Sequence, residues 1–142
     1  MSAEALARII AIVPQTVAVG SRVTCSPPPQ GTDADYLVHY LPEQADALWR
    51  SVGKDGWEFG GSEIANDVNT TPVEDRFYSY RLGDINLIIT SSQTFAHRFL
   101  AASSVAKRLN LMKKDDRIAL FQAVLYGRID AEIPTLPDEG LF

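Results

Sequence analysis

Two apolar runs flanking Gly83-Asp84 constrain the fold of this chain more than any other stretch. Phe77 to Leu82 and Ile85 to Thr90 are rich in aromatic and β-branched residues, and a glycine-containing pair separates them, which is the pattern of a tight β-hairpin. Three further short runs read as strands: Val17-Ala18-Val19, Asp33 to Tyr40, and a segment around Trp57 to Phe59. Helical spacing fills the intervals. Leu6, Ile9, Ile10 and Val13 recur every three or four residues, predicting a helix over Ala3 to Val13 that Pro14 ends. Pro42, Glu43 and Gln44 suit the start of a helix running to about Ser51, with Ala45, Leu48 and Trp49 inward. Ser91 and Ser92 can cap a helix to about Asn110 whose inner face is Phe95, Phe99, Ala102, Ala106 and Leu109. Asp115 or Asp116 can start the last helix, with Ile118, Phe121, Val124 and Leu125 inward and Gly127 as its stop.

This order predicts an α+β chain: a small mixed sheet packed against helices. Arg22 to Thr32, with prolines at 27, 28 and 29, reads as a loop, and Gly60 to Glu74 as a polar surface excursion. At 142 residues the chain is the size of one domain, 1–142, with a polar tail over 128–142 that packs loosely and that Leu141-Phe142 can anchor. No apolar run reaches the length of a membrane span, and Leu6 to Val13 reads as a buried helix rather than a signal peptide. The single cysteine, Cys25, excludes an intrachain disulfide, and cytoplasm is the expected compartment. With 13 basic and 18 acidic residues the net charge is -5, which disfavours wholesale binding to a phosphate backbone but leaves room for a local basic patch. His97, Arg98, Lys107, Arg108, Lys113 and Lys114 make such a region, either as solvated helix faces or as a groove for an anionic acceptor. No CxxC, HExxH, GxGxxG or P-loop pattern is present.

The sharpest chemical feature is Asp33-Ala34-Asp35 at the start of a strand. Strand side chains alternate, so both carboxylates face one way. Two adjacent carboxylates repel unless a cation lies between them, and Mg²⁺ is the usual ion beside phosphates. The plainer alternative places Asp33 in a turn and Asp35 toward water. Gly20-Ser21 follows the strand Val17 to Val19, where glycine admits a phosphate close to the backbone and the serine hydroxyl can donate to it. His39 lies on the Asp33 and Asp35 face, too far along the strand for the same metal, and reads as a structural histidine.

Strand, Gly-Ser, loop and then Asp-x-Asp entering a strand resembles the polymerase-beta-like nucleotidyltransferase superfamily, in the residues Val19-Gly20-Ser21 and Asp33-Ala34-Asp35-Tyr36-Leu37. Phe77 to Ile89 is similar to the later strands of that superfamily, and also to small nucleotidyltransferases of bacteriophages. The resemblance implies a nucleotidyltransferase-like fold. It also implies a nucleotide-phosphate contact at Gly20 and Ser21, and Mg²⁺ held by Asp33, Asp35 and a third carboxylate from a later strand. Here that later triplet reads Ile85-Asn86-Leu87, with a neutral side chain at its centre, and Asp84 is the nearest carboxylate. Asp84 is either the third metal ligand or an ordinary turn residue. Arg22 and Arg81 can neutralise a triphosphate.

Two functions follow as expectations. One is Mg²⁺-dependent transfer of a nucleoside monophosphate from a nucleoside triphosphate to a hydroxyl on a protein, an RNA end or a small molecule. The other is a catalytically degenerate relative that binds or inhibits a partner protein, a host protein if the chain is phage-encoded. Trp57, Tyr78 and Tyr80 would be its exposed aromatic contacts.

Overall fold

The computed structural model describes residues 2–61 and 72–126. Its order is α1 (Ser2–Ile12), β1 (Val17–Val19), α2 (Ser21–Thr24), β2 (Ala34–His39), α3 (Ala45–Lys54), β3 (Glu58–Gly61), β4 (Tyr78–Leu82), β5 (Ile85–Thr90), α4 (Gln93–Leu109) and α5 (Lys114–Tyr126). Five strands form one mixed sheet in the order β1-β2-β5-β4-β3. β2 and β5 run parallel, and the other neighbours are antiparallel. The expected α+β class, a small mixed sheet packed against helices, is the architecture found.

Helices cover both faces. Val38, Ile85, Leu87 and Ile89 pack with Ala5, Ile9 and Val13 from α1 and its exit, and with Leu48 and Val52 of α3. The opposite face packs Val19 and Leu37 against Phe95 and Ala96 of α4 and Leu125 of α5. Ile9, Leu48, Leu87 and Ile89 are fully buried, and each contributes about 1.5–3 kcal/mol through loss of apolar surface from water.

Local chemistry explains most boundaries. Ser92 caps α4, its hydroxyl accepting from the Phe95 amide at 3.0 Å and donating to the Glu74 carbonyl at 2.8 Å. Asn110 ends α4 in a left-handed conformation with φ 48°. Gly83 takes φ 61° in the hairpin between β4 and β5. Pro42–Gln44 forms a 3-10 turn ahead of α3 rather than its first α-helical turn.

Several expectations change. The start of the Arg22 to Thr32 loop is helical, because Gly20 at φ 83° turns the chain directly into α2. β2 begins at Ala34, leaving Asp33 just outside it. The last helix starts at Lys114, ahead of both aspartates. Trp57 is not an exposed contact residue: it is 6% exposed, and its amide donates to the Val52 carbonyl at 3.2 Å, folding it under the α3 side of the sheet. Tyr78 and Tyr80 are half-buried and meet Trp49 edge to face. Leu109 is 61% exposed at the end of α4, and Ile118 of α5 is 41% exposed. Most of the Gly60 to Glu74 excursion, the Gly127 stop and the 128–142 tail lie outside the described residues. Among the described residues no helix is long and apolar enough to cross a membrane.

Candidate functional site

Alternation and register together assemble the site. Val19 pairs with Asp35, Asp35 with Asn86, and Asn86 with Arg81. These residues therefore form one row across four strands, on the face that α4 and α5 cover. Most of that face is apolar, but this row is polar. The Asn86 amide nitrogen donates to Asp35 Oδ1 at 3.2 Å, and the Asn86 oxygen accepts from Ser79 Oγ at 2.7 Å. Ser79 lies on the same face two residues before Arg81.

Gly20 closes the row from the other side. A Cβ at Gly20 would lie 2.2 Å from Asp35 Oδ2, so only glycine leaves room for that carboxylate. Its φ of 83° and ψ of -175° also fall in a region that side chains rarely enter. Ser21, the first residue of α2, follows directly.

A cavity of about 460 Å³ opens over this end of the sheet. Gly20, Ser21, Thr32, Asp33 and Asp35 line its polar end, and Phe77, Phe95, Phe99 and Phe121 line the apolar remainder. Phe77 stacks on Phe95 at 5.1 Å between ring centroids, and Phe99 meets Phe121 edge to face at 4.9 Å. Lys114 and Arg117 of α5 also line the cavity. Arg117 is engaged: Nη1 donates to the Leu111 carbonyl at 2.9 Å and the Met112 carbonyl at 2.8 Å, and lies 3.3 Å from Cys25 Sγ. It ties the α4–α5 turn to the exit of α2. Lys114 is exposed and has no hydrogen-bond or ion-pair partner among the described residues.

The electrostatics are those of a crowded acidic pocket. Burial pushes the Asp35 carboxyl above its ordinary range; the hydrogen bond from Asn86 pulls it back, and the charge of Asp33 pushes it up again. Arg81 and Arg22 offset that charge from farther off. Arg81 Nη2 lies 2.5 Å from Asp33 Oδ2. Arg22 donates through Nη2 to the Thr32 carbonyl, and the same nitrogen is 4.0 Å from Asp84 Oδ2.

The structure thus brings Gly20, Ser21, Asp33 and Asp35 to one cavity. Arg22, Arg81 and Asp84 do not line it. The Asp84 carbonyl accepts from the Ala34 amide at 2.8 Å, but its side chain is 68% exposed and faces Arg22. Among the described residues no three of His, Cys, Asp and Glu are grouped closely enough to hold a metal ion. His39 pairs with Thr90 at the far end of β2, and burial lowers its pKa. Arg117 was not legible as a cavity residue, since only the packing of α5 brings it there. The role of Ser79 depends likewise on the β4–β5 register. No family model matches the chain, and neither a curated protein nor a solved structure matches it.

Proposed function

We propose that the cleft binds a nucleoside triphosphate with Mg²⁺ and moves its nucleoside monophosphate to an acceptor hydroxyl on a protein, an RNA end or a small molecule. The observation that carries this reading is that Gly20, Ser21, Asp33 and Asp35 line one cavity although the loop between β1 and β2 separates them in the chain. Asp33 and Asp35 suit the ion as a donor set: both are hard oxygen ligands, and burial first, then the charge of Asp33, raises the Asp35 carboxyl. When bound, Mg²⁺ would offset phosphate charge and align the reacting groups.

The chain's own residues account for the rest of the reading. The Gly20-Ser21 turn borders the cavity, where Ser21 Oγ donates to a phosphate. Lys114, on the cavity wall and without a partner among the described residues, balances negative charge. Asn86 holds Asp35 Oδ1 in a fixed direction while Ser79 holds Asn86. The acceptor hydroxyl oxygen forms the new bond to the α-phosphorus as the bond to pyrophosphate breaks, and its proton passes to solvent. This chemistry implies the cytoplasm, or the host cytoplasm if the chain is phage-encoded.

A specific observation favours a second reading. Asn86 occupies the position beside Asp35 where a third carboxylate would complete the site, and it is neutral and already hydrogen-bonded. A domain built this way can hold a nucleotide without turning it over, and bind or inhibit a partner protein instead.

Calorimetry with Mg²⁺ and each of the four nucleoside triphosphates tests the binding. The wild type is expected to bind, and Asp33→Asn with Asp35→Asn to bind at least about tenfold more weakly, a change of roughly 1.4 kcal/mol. Equal binding by both proteins removes the metal role. Transfer of label from an α-labelled nucleotide supports the first reading. A silent wild type together with an active Asn86→Asp variant supports the second.

A further inference from the structure

We infer that Arg81 is a positioning residue that makes divalent-cation binding and phosphate binding in the cleft depend on each other; this rests on the metal and nucleotide reading above. Arg81 stands on β4, and its register partner on β5 is Asn86. Its guanidinium nevertheless reaches beyond β5 to Asp33 at the entry to β2. It therefore engages one of the two carboxylates that a cation would use. Asp33 is the only hydrogen-bond or ion-pair partner of Arg81 among the described residues, and the Arg81 side chain is 59% exposed. An ion pair with that much exposure is weak and easily exchanged.

A better partner for the guanidinium is a phosphate group, whose oxygens match its planar fork in two places at once. Asp33, which the guanidinium holds, lines the same cavity as Gly20 and Ser21 of the turn that follows β1. A triphosphate seated at that turn comes within its reach. Once the guanidinium moves to the phosphate, the Asp33 oxygen is released. A cation arriving alone must compete with Arg81 for Asp33, and a cation arriving with the nucleotide does not. Each ligand thereby raises the affinity for the other, and the two factors are equal by linkage.

The experiment is calorimetric titration of MgCl₂ into the nucleotide-free protein, repeated with a saturating non-hydrolysable triphosphate. Wild type, Arg81→Ala, Arg81→Lys and Arg8→Ala are compared, the last removing a cation from the other side of the sheet. Arg81→Ala is expected to tighten nucleotide-free Mg²⁺ binding by about two- to fivefold, the size of an exposed ion pair, and to reduce the enhancement by nucleotide by the same factor, leaving the part due to direct attraction between Mg²⁺ and phosphate. Arg81→Lys keeps the charge without the fork and falls between. Arg8→Ala matches the wild type. Asp33→Asn gives the reciprocal reading: it frees Arg81 and tightens metal-free nucleotide binding. Unchanged Mg²⁺ affinity in Arg81→Ala, or equal enhancement by nucleotide in both proteins, overturns the inference while the metal site stands. Absence of Mg²⁺ binding in every protein, Arg81→Ala included, overturns the metal reading itself and the inference with it.

Discussion

The two faces of the sheet come from the same strands and differ in what their alternate residues are asked to do. On the α1–α3 face the first two rows from the start of β5 carry no charge: Ile85 pairs with Ala34 and Leu82, and Leu87 with Tyr36 and Tyr80. Helices close over them, and Ile9, Leu48, Leu87 and Ile89 are fully buried. On the α4–α5 face the adjacent row is Asp35, Asn86 and Arg81, and the cavity opens above its Asp35 end. One face is arranged for stability. The other places a half-buried carboxylate, whose desolvation costs free energy, beside an amide and near an arginine. A shift of one residue along a strand separates the two environments. The lesson is that one sheet carries a closed apolar face and, one residue along its strands, a polar row that borders an open cavity.

The largest expected effect lies on the closed face. Leu87→Ala should lower unfolding free energy by about 2–5 kcal/mol, because both transfer energy and a residual cavity contribute. Chemical denaturation measures it, and a loss below 1 kcal/mol would mean that this face is no better packed than the open one. The next effect concerns the margin of the open face. Gly20→Ala should cost about 1–3 kcal/mol from backbone strain alone, and its Cβ also meets the Asp35 carboxylate. Adding Asp35→Ala to it should recover only part of the loss, because the backbone strain remains and the Asp35 Cβ still lies 2.9 Å from the new methyl group. Full recovery would show that the clash, and not the backbone, sets the requirement for glycine.

The smallest effect distinguishes the faces by pH. Burial raises the Asp35 carboxyl above its ordinary value, so the folded state binds that proton more tightly than the unfolded state. The resulting stability is fully present below about pH 3.9, the ordinary aspartate value, and is lost as pH rises through the raised folded value. Asp35→Asn should remove this fall and leave the protein slightly more stable at neutral pH. Thermal unfolding followed across pH 3 to 8 reads the difference between the two proteins. A wild type whose melting temperature rises through the same window as fast as that of Asp35→Asn would contradict a desolvated Asp35.

Much of this arrangement was legible from local pattern. The β4–β5 hairpin, the Ser92 cap and the α1 face depend on neighbours within a few residues, and the chain carries those signals plainly. Alternation was expected to put Asp33 and Asp35 on one strand face; Asp33 lies just before β2, yet both line the same cavity. Helix burial was read less well where the layer is open. Ile118 has the right spacing to be inward, but α5 lies over the cavity and not over a filled core, so it remains partly exposed. Leu109 meets its period too, yet it is the last residue of α4, directly before the left-handed cap at Asn110. Trp57 looked like a surface aromatic because its strand is short; a backbone bond to α3 turns it inward. α2 is a single turn, too brief for a periodic pattern.

The sequence by itself determined the strands, the turn at Gly83 and the glycine before Ser21. These follow from covalent geometry and from torsional preferences that act over a few residues. Only the tertiary structure decided that Asn86 would hydrogen-bond to Asp35, that Arg81 would reach Asp33, and that Asp84 would face solvent beside Arg22. The reason is register. Asp35 and Asn86 are 51 residues apart, and they meet because β2 pairs in parallel with β5 rather than with a sequence neighbour. Long-range pairing of that kind is chosen by the summed burial of both sheet faces, which no short window of residues contains.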